Sequence, residues 1–162
     1  MEISYIEKAF EDNHLRLEKT GKTERLIYVA TNRSERWSDP EEKVRAAFYA
    51  ELIYRYGYLP NRIGVEITVP DRSPNDYADL VVFEDDQRKR PFAVIECKSE
   101  SISDAEFNQA VEQAWGNGNA AKFRTDYIGV EWLPVAPGVS STATIGNLAL
   151  LNVTKTSSPT SS

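Results

Sequence analysis

Histidine and cysteine are almost missing from this chain, with one of each in 162 residues. A lone histidine, His14, excludes a histidine-based metal cluster and a Ser-His-Asp triad. A lone cysteine, Cys97, cannot close an internal disulfide, which suits a reducing cytoplasm. No stretch approaches the roughly 18 consecutive apolar residues of a membrane-crossing helix, so no membrane partner is expected. The N-terminus, MEISYIEKAF, lacks a basic segment followed by an apolar one and does not read as a secretory signal. A surplus of positive charge is also lacking. The formal net charge is −6, which runs against a uniformly basic nucleic-acid binder but leaves room for a local basic groove.

What is present is ordinary for a globular protein, 41% hydrophobic and 27% charged residues. The length suits one domain, expected over residues 1–153. The remainder, TKTSSPTSS at 154–162, is polar, has nothing to anchor it and reads as disordered.

Leu15 and Leu17 alternate with polar residues, Leu26–Ala30 is a short apolar run, and Thr20–Lys22 reads as the turn of a hairpin between them. Asp39-Pro40-Glu41-Glu42 reads as a helix start, with Asp39 as N-cap and Glu42 placed to complete a capping box. Val44, Ala47, Phe48 and Leu52 carry that helix toward Gly57, over about 40–56. Strands are expected at Arg62–Val69, Tyr77–Phe83 and Phe92–Cys97, with a loop at Pro70–Asp76 and a charged turn at Glu84–Pro91. A helix over Asp104–Trp115 and strands at Tyr127–Trp132 and Ile145–Val153 follow. This order predicts an α/β fold, a mixed sheet flanked by helices.

Two of these strands carry charge where charge is costly. In AVIECKS an apolar strand runs into Glu96-Cys97-Lys98. Alternation puts Glu96 and Lys98 on one face and Cys97 on the other. In ADLVVF, Asp79 interrupts a run that is otherwise apolar. The intervening turn makes the two strands neighbours, which brings Asp79 toward Glu96. Two carboxylates with a lysine suit a divalent cation, since Mg²⁺ takes oxygen ligands and retains water and phosphate. Asp79, Glu96 and the backbone carbonyl of Cys97 are the candidate metal ligands. Lys98 would stabilise charge on a phosphate or orient the attacking water. A structural ion-pair network at a strand end is the alternative reading of the same residues.

With these residues in place, the segment from Asp39 to Trp132 resembles the N-terminal nuclease domain of type I restriction enzyme R (motor) subunits. That domain is of the PD-(D/E)xK nuclease superfamily. PEEKVR, YGYLPNRIGVEITV with Glu66 inside it, ADLVVF, AVIECKS and FNQAVEQAWGN occur in the family's order. The resemblance implies a restriction-endonuclease-like fold, a metal-binding role for Asp79 and Glu96, and a catalytic role for Lys98. It also implies an acidic residue on the preceding helix, which Glu42 matches better than Glu41. The family's Gln-x-x-x-Tyr motif is imperfect here. Gln113 stands where tyrosine would follow Gln109, and Asn117 where it would follow Gln113, so both glutamines remain candidates.

The implied activity is Mg²⁺-dependent endonuclease cleavage of double-stranded DNA, with Mn²⁺ as a substitute ion. The implied partners are an ATPase motor domain and the methyltransferase and specificity subunits of a restriction complex. GKT at Gly21–Thr23 lacks the rest of a P-loop, so no ATP site is expected. The alternative is a non-catalytic DNA-binding or assembly module that kept the nuclease fold. Lys43, Arg45, Arg55, Lys122 and Arg124 could touch phosphates, but each taken singly reads as solvated surface.

Overall fold

The computed structural model describes residues 3–69, 76–98, 105, 109, 112–113, 119–120, 123–124, 127–132 and 149–152. The chain opens with a short helix, α1 (Tyr5–Glu11), which the hairpin expectation did not include. Its start is a complete capping box. The Ser4 hydroxyl accepts the Glu7 N–H at 3.3 Å, and the Glu7 carboxylate accepts the Ser4 N–H at 2.9 Å. Strands β1 (Leu15–Thr20) and β2 (Thr23–Tyr28) form the expected hairpin, turning through Gly21 at φ 61°. A third strand, β3 (Arg33–Arg36), pairs antiparallel to β2.

Helix α2 (Pro40–Tyr54) follows, with Pro40 at its first turn. It stops two residues short of the expected end, and Gly57 then takes φ 75° as the chain turns away. The larger sheet contains β4 (Ile63–Val69), β5 (Asp76–Phe83) and β6 (Pro91–Lys98), close to the expected bounds. Two short strands, β7 (Asn119–Ala120) and β8 (Phe123–Arg124), pair with each other. The larger sheet is completed by β9 (Tyr127–Trp132) and β10 (Ala149–Asn152). Its strand order is β10-β9-β6-β5-β4. Among the described strands only β6 and β9 run parallel, so the sheet is mixed.

A parallel pair needs a crossover. Ala105, Gln109, Glu112 and Gln113, all from the segment between β6 and β9, have helical backbone. The rest of the expected 104–115 helix lies outside the described residues. So do 145–148 and Val153 of the last expected strand, the 70–75 loop and the 154–162 tail.

The main core lies between α2 and one face of the sheet. Val44, Phe48 and Tyr49 of α2 meet Ile63, Val65, Leu80, Val82, Ile95 and Cys97, with Leu15, Leu26 and Tyr28 closing the N-terminal side. Each fully buried Leu, Ile or Val there contributes roughly 1.5–3 kcal/mol. A smaller cluster of Val69, Ala78, Val81, Phe83 and Val94 is separate from it. The α/β architecture with helices against a mixed sheet is therefore the one expected.

Candidate functional site

Three acidic residues fall in a row across three adjacent strands. Val65 pairs with Leu80 and Ile67 with Ala78, which leaves Glu66 opposite Asp79. Leu80 pairs with Ile95, so Glu96 is the next position opposite Asp79 on the other side. The β5–β6 ladder has ended by then. The Asp79 carboxylate takes its place in part, and Oδ2 accepts the Cys97 N–H at 2.7 Å. Glu96 is 1% exposed. Cys97 packs in the main core, as alternation requires if Glu96 and Lys98 face the other way. Lys98 is half-buried at the end of β6.

The centre of the cluster is Arg45. Its Nη2 donates to Glu66 Oε1 at 2.6 Å and to Asp79 Oδ1 at 3.0 Å, and its Nη1 pairs with Glu42 Oε2 at 3.1 Å. The reading of Arg45 as solvated surface is corrected: its side chain is 6% exposed. The sequence hid this because a buried arginine is rare, and only the fold supplies enough carboxylates to support one. Burial opposes its charge, but Asp79 and Glu42 outweigh that and raise its pKa.

Glu42 does not cap its helix, which is a second correction. Asp39 makes no side-chain capping bond either. The Glu42 carboxylate turns inward, accepting a short hydrogen bond from the buried Tyr28 hydroxyl as well as pairing with Arg45. Burial pushes the Glu42 carboxyl up to about 7, against the pull of Arg45 and Tyr28. Burial also raises the Glu66 carboxyl, again against Arg45. Glu41, the rejected alternative, is exposed.

Glu66 has backbone φ 52°, a left-handed conformation uncommon outside glycine. Regular alternation would turn Glu66 and Asp79 away from the side of Val65 and Leu80. Both instead meet Arg45, whose helix packs on that side. The left-handed residue is the local break in the pleat. Beside it, Glu66, Thr31, Arg33, Thr68 and Arg88 line an open groove of about 290 Å³.

Gln109 is exposed and Gln113 half-buried, both with helical backbone. Lys43 lies over the Trp37 ring, 3.2 Å from its centroid, and Arg55 pairs with Glu51 at 2.9 Å. Lys122 lies outside the described residues. Sequence reasoning assigned no role to Glu66 or Tyr28. The one signal for Glu66 was an acidic residue inside the apolar alternation of IGVEITV. Tyr28 carried none.

The cluster offers hard oxygen donors and one fixed cation. Among the described residues, no three His, Cys, Asp or Glu side chains gather so as to hold a metal ion. Asp79 and Glu96 stand opposite each other in register on β5 and β6, but the Asp79 carboxylate turns to Arg45 on the α2 side while Glu96, between Ile95 and Cys97 of the core, leaves its strand on the other face. No described helix is long and apolar enough to cross a membrane.

No curated protein and no solved structure matches the chain. The family model described as "Type I restriction enzyme R protein N terminus" matches residues 40–120, half of the 162 residues, including Glu42, Arg45, Glu66, Asp79, Glu96 and Lys98. The chain therefore belongs to the type I restriction enzyme R protein N-terminus family, and its role lies within a restriction system.

Proposed function

We propose that this is the nuclease domain of a type I restriction system, hydrolysing DNA phosphodiester bonds with a divalent cation. The observation that carries the reading is the row Glu66–Asp79–Glu96, set where the β5–β6 ladder opens. Charge buried in a sheet interior is retained only where it is compensated or used.

In this reading Asp79, Glu96 and the Cys97 carbonyl hold the cation. When bound, Mg²⁺, or Mn²⁺ in its place, polarises the phosphodiester and makes bound water a stronger nucleophile. Lys98, following Glu96 on the same strand, stabilises charge gathering on the phosphate or orients the water. Glu42 supports the site through Arg45. Gln109 and Gln113 are candidates for orienting substrate from the following helix. Double-stranded DNA is the substrate, and the motor, methyltransferase and specificity components are the partners.

The test is plasmid nicking with Mg²⁺ by the wild type, Asp79→Ala and Lys98→Ala. Nicking by the wild type and loss in both variants is expected. Equal activity in all three overturns the assignment. The second reading, a non-catalytic DNA-binding or assembly module, draws on the internal pairing of both Asp79 oxygens. A protein that binds DNA but leaves it intact with Mg²⁺ or Mn²⁺ would favour it.

A further inference from the structure

The open groove of about 290 Å³ is lined by β4 from Gly64 to Thr68, together with Thr31, Arg33 and Arg88. Its two arginines come from distant places in the chain, Arg33 from the start of β3 and Arg88 from the turn between β5 and β6. Both are exposed. Arg33 holds Glu35 through Nε at 2.6 Å, and Arg88 donates Nη1 to the Asn61 carbonyl at 2.9 Å. A guanidinium has five N–H donors, so each contact leaves donors over. The Asn61 oxygen is neutral and does not cancel the Arg88 charge. Glu66, the one acid in the lining, is already engaged by Arg45.

The lining also holds an orphan. Thr31 Oγ1 is buried and has no hydrogen-bond partner among the described residues. Such a hydroxyl costs stability unless something meets it. Backbone strain gathers at the same place. Four non-glycine residues have positive φ among the described residues, and two of them, Glu66 at 52° and Arg88 at 53°, line the groove. A third, Asn32 at 53°, stands between Thr31 and Arg33, which line it as well. Left-handed residues of this kind cluster at ligand clamps.

Two arginines and threonine hydroxyls suit an oxoanion, since guanidinium forks match its oxygens and hydroxyls add to them. The lining follows β4 over five consecutive residues, roughly 13 Å at about 3.3 Å per residue. That is longer than a single anion and suits a chain of them. Among the described strands β4 is the edge of its sheet, which would also suit an added peptide strand. The left-handed Glu66 interrupts that edge, as bulges do where strand addition is blocked. A phosphodiester chain needs no ladder.

We propose that this groove is a phosphate-docking site, in which Arg33, Arg88 and Thr31 hold the backbone of a DNA strand beside β4. This rests on the reading of DNA as the ligand, and on neither a cation nor cleavage.

The test is fluorescence anisotropy of a labelled DNA duplex with the full chain in EDTA, across a range of salt. The variants are Arg33→Gln, Arg88→Gln and Thr31→Val. Arg16→Gln is the control, an exposed arginine outside the lining. Each groove arginine variant should weaken binding several-fold whatever the DNA sequence, and lower the salt slope by about one. Thr31→Val should weaken binding without lowering the melting temperature, because the hydroxyl it removes has no partner in the fold. Arg16→Gln should match the wild type.

Wild-type affinity and slope in Arg33→Gln and Arg88→Gln overturn this proposal alone. So does an equal loss in Arg16→Gln, which would mean only diffuse charge. Poly-glutamate binding that is lost in both groove variants, with duplex binding unchanged, would assign the groove to an acidic protein segment instead. A wild type that does not bind the duplex also overturns it, and plasmid nicking with Mg²⁺ then decides separately whether DNA is the substrate.

Discussion

Asp79 accepts the backbone N–H of Cys97 through Oδ2 at 2.7 Å, just past Leu80 and Ile95, the last residues paired at that end of β5 and β6. A side chain here does work that the backbone ladder does elsewhere in the sheet. Asp79→Ala leaves the Cys97 N–H and the Arg45 fork each short of a partner. We expect a loss of about 1–3 kcal/mol from that substitution. Asp79→Asn keeps a carbonyl oxygen for one of those donors and should cost less. Urea unfolding measures both, and equal stabilities would contradict this role for the carboxylate.

Tyr28→Phe removes one hydroxyl from a fully buried ring. The ring's edge-on contact with Tyr49, 4.9 Å between centroids, is unaffected. What is lost is the donor to Glu42. A cost of about 1–3 kcal/mol is expected for leaving that carboxyl short of a partner. In the double variant Tyr28→Phe/Glu42→Gln the two losses should not add, because both act on one hydrogen bond. Strict additivity in thermal unfolding would count against the pairing.

The raised carboxyl of Glu42, about 7 in the fold against 4.5 for the unperturbed group, gives stability a pH dependence of known sign. Between those values the folded state holds a proton that the unfolded state has released. The contribution is therefore fully present below about pH 4.5 and is lost as pH rises toward 7, by at most about 1.4 kcal/mol per pH unit. Relative to Glu42→Gln, which cannot titrate, the wild type should become less stable as pH rises from about 5 to 8. Parallel urea-unfolding curves across that range would show that Glu42 does not titrate there.

A divalent cation that binds the folded chain and not the unfolded one stabilises it by mass action. Adding Mg²⁺ or Mn²⁺ should therefore raise the melting temperature of the wild type, with the shift growing with concentration. Glu96→Gln removes a carboxylate at 1% exposure and should abolish the shift. An identical shift in both proteins would move the ion elsewhere.

The secondary structure around the site was legible because its signals are local. The alternation in IGVEITV, the apolar runs of ADLVVF and AVIEC, and the DPEE helix start each declare an element within a few residues. The expected strands accordingly lie within two residues of β4, β5 and β6. Helix α1 lies outside the sequence expectation although Ser4 and Glu7 spell a capping box, since seven residues carry too little apolar periodicity. Asp39 and Glu42 spell the same box motif, yet no side-chain cap forms there. The Glu42 carboxylate finds a stronger demand from Tyr28 and Arg45 than from its own helix end.

Local pattern alone gives the residue types of the candidate site and their strands: Asp79 and Glu96 as lone carboxylates in apolar segments, with Lys98 two positions after Glu96 and so on its face. What surrounds them is set by how the elements pack. Whether Glu66 stands opposite Asp79 depends on strand register. Whether Arg45 is solvated or buried depends on which way α2 lies against the sheet. Neither is written in any local pattern, because the energy of a buried charge is set by partners distant in sequence, here Glu66 and Asp79, that only folding brings within hydrogen-bond reach.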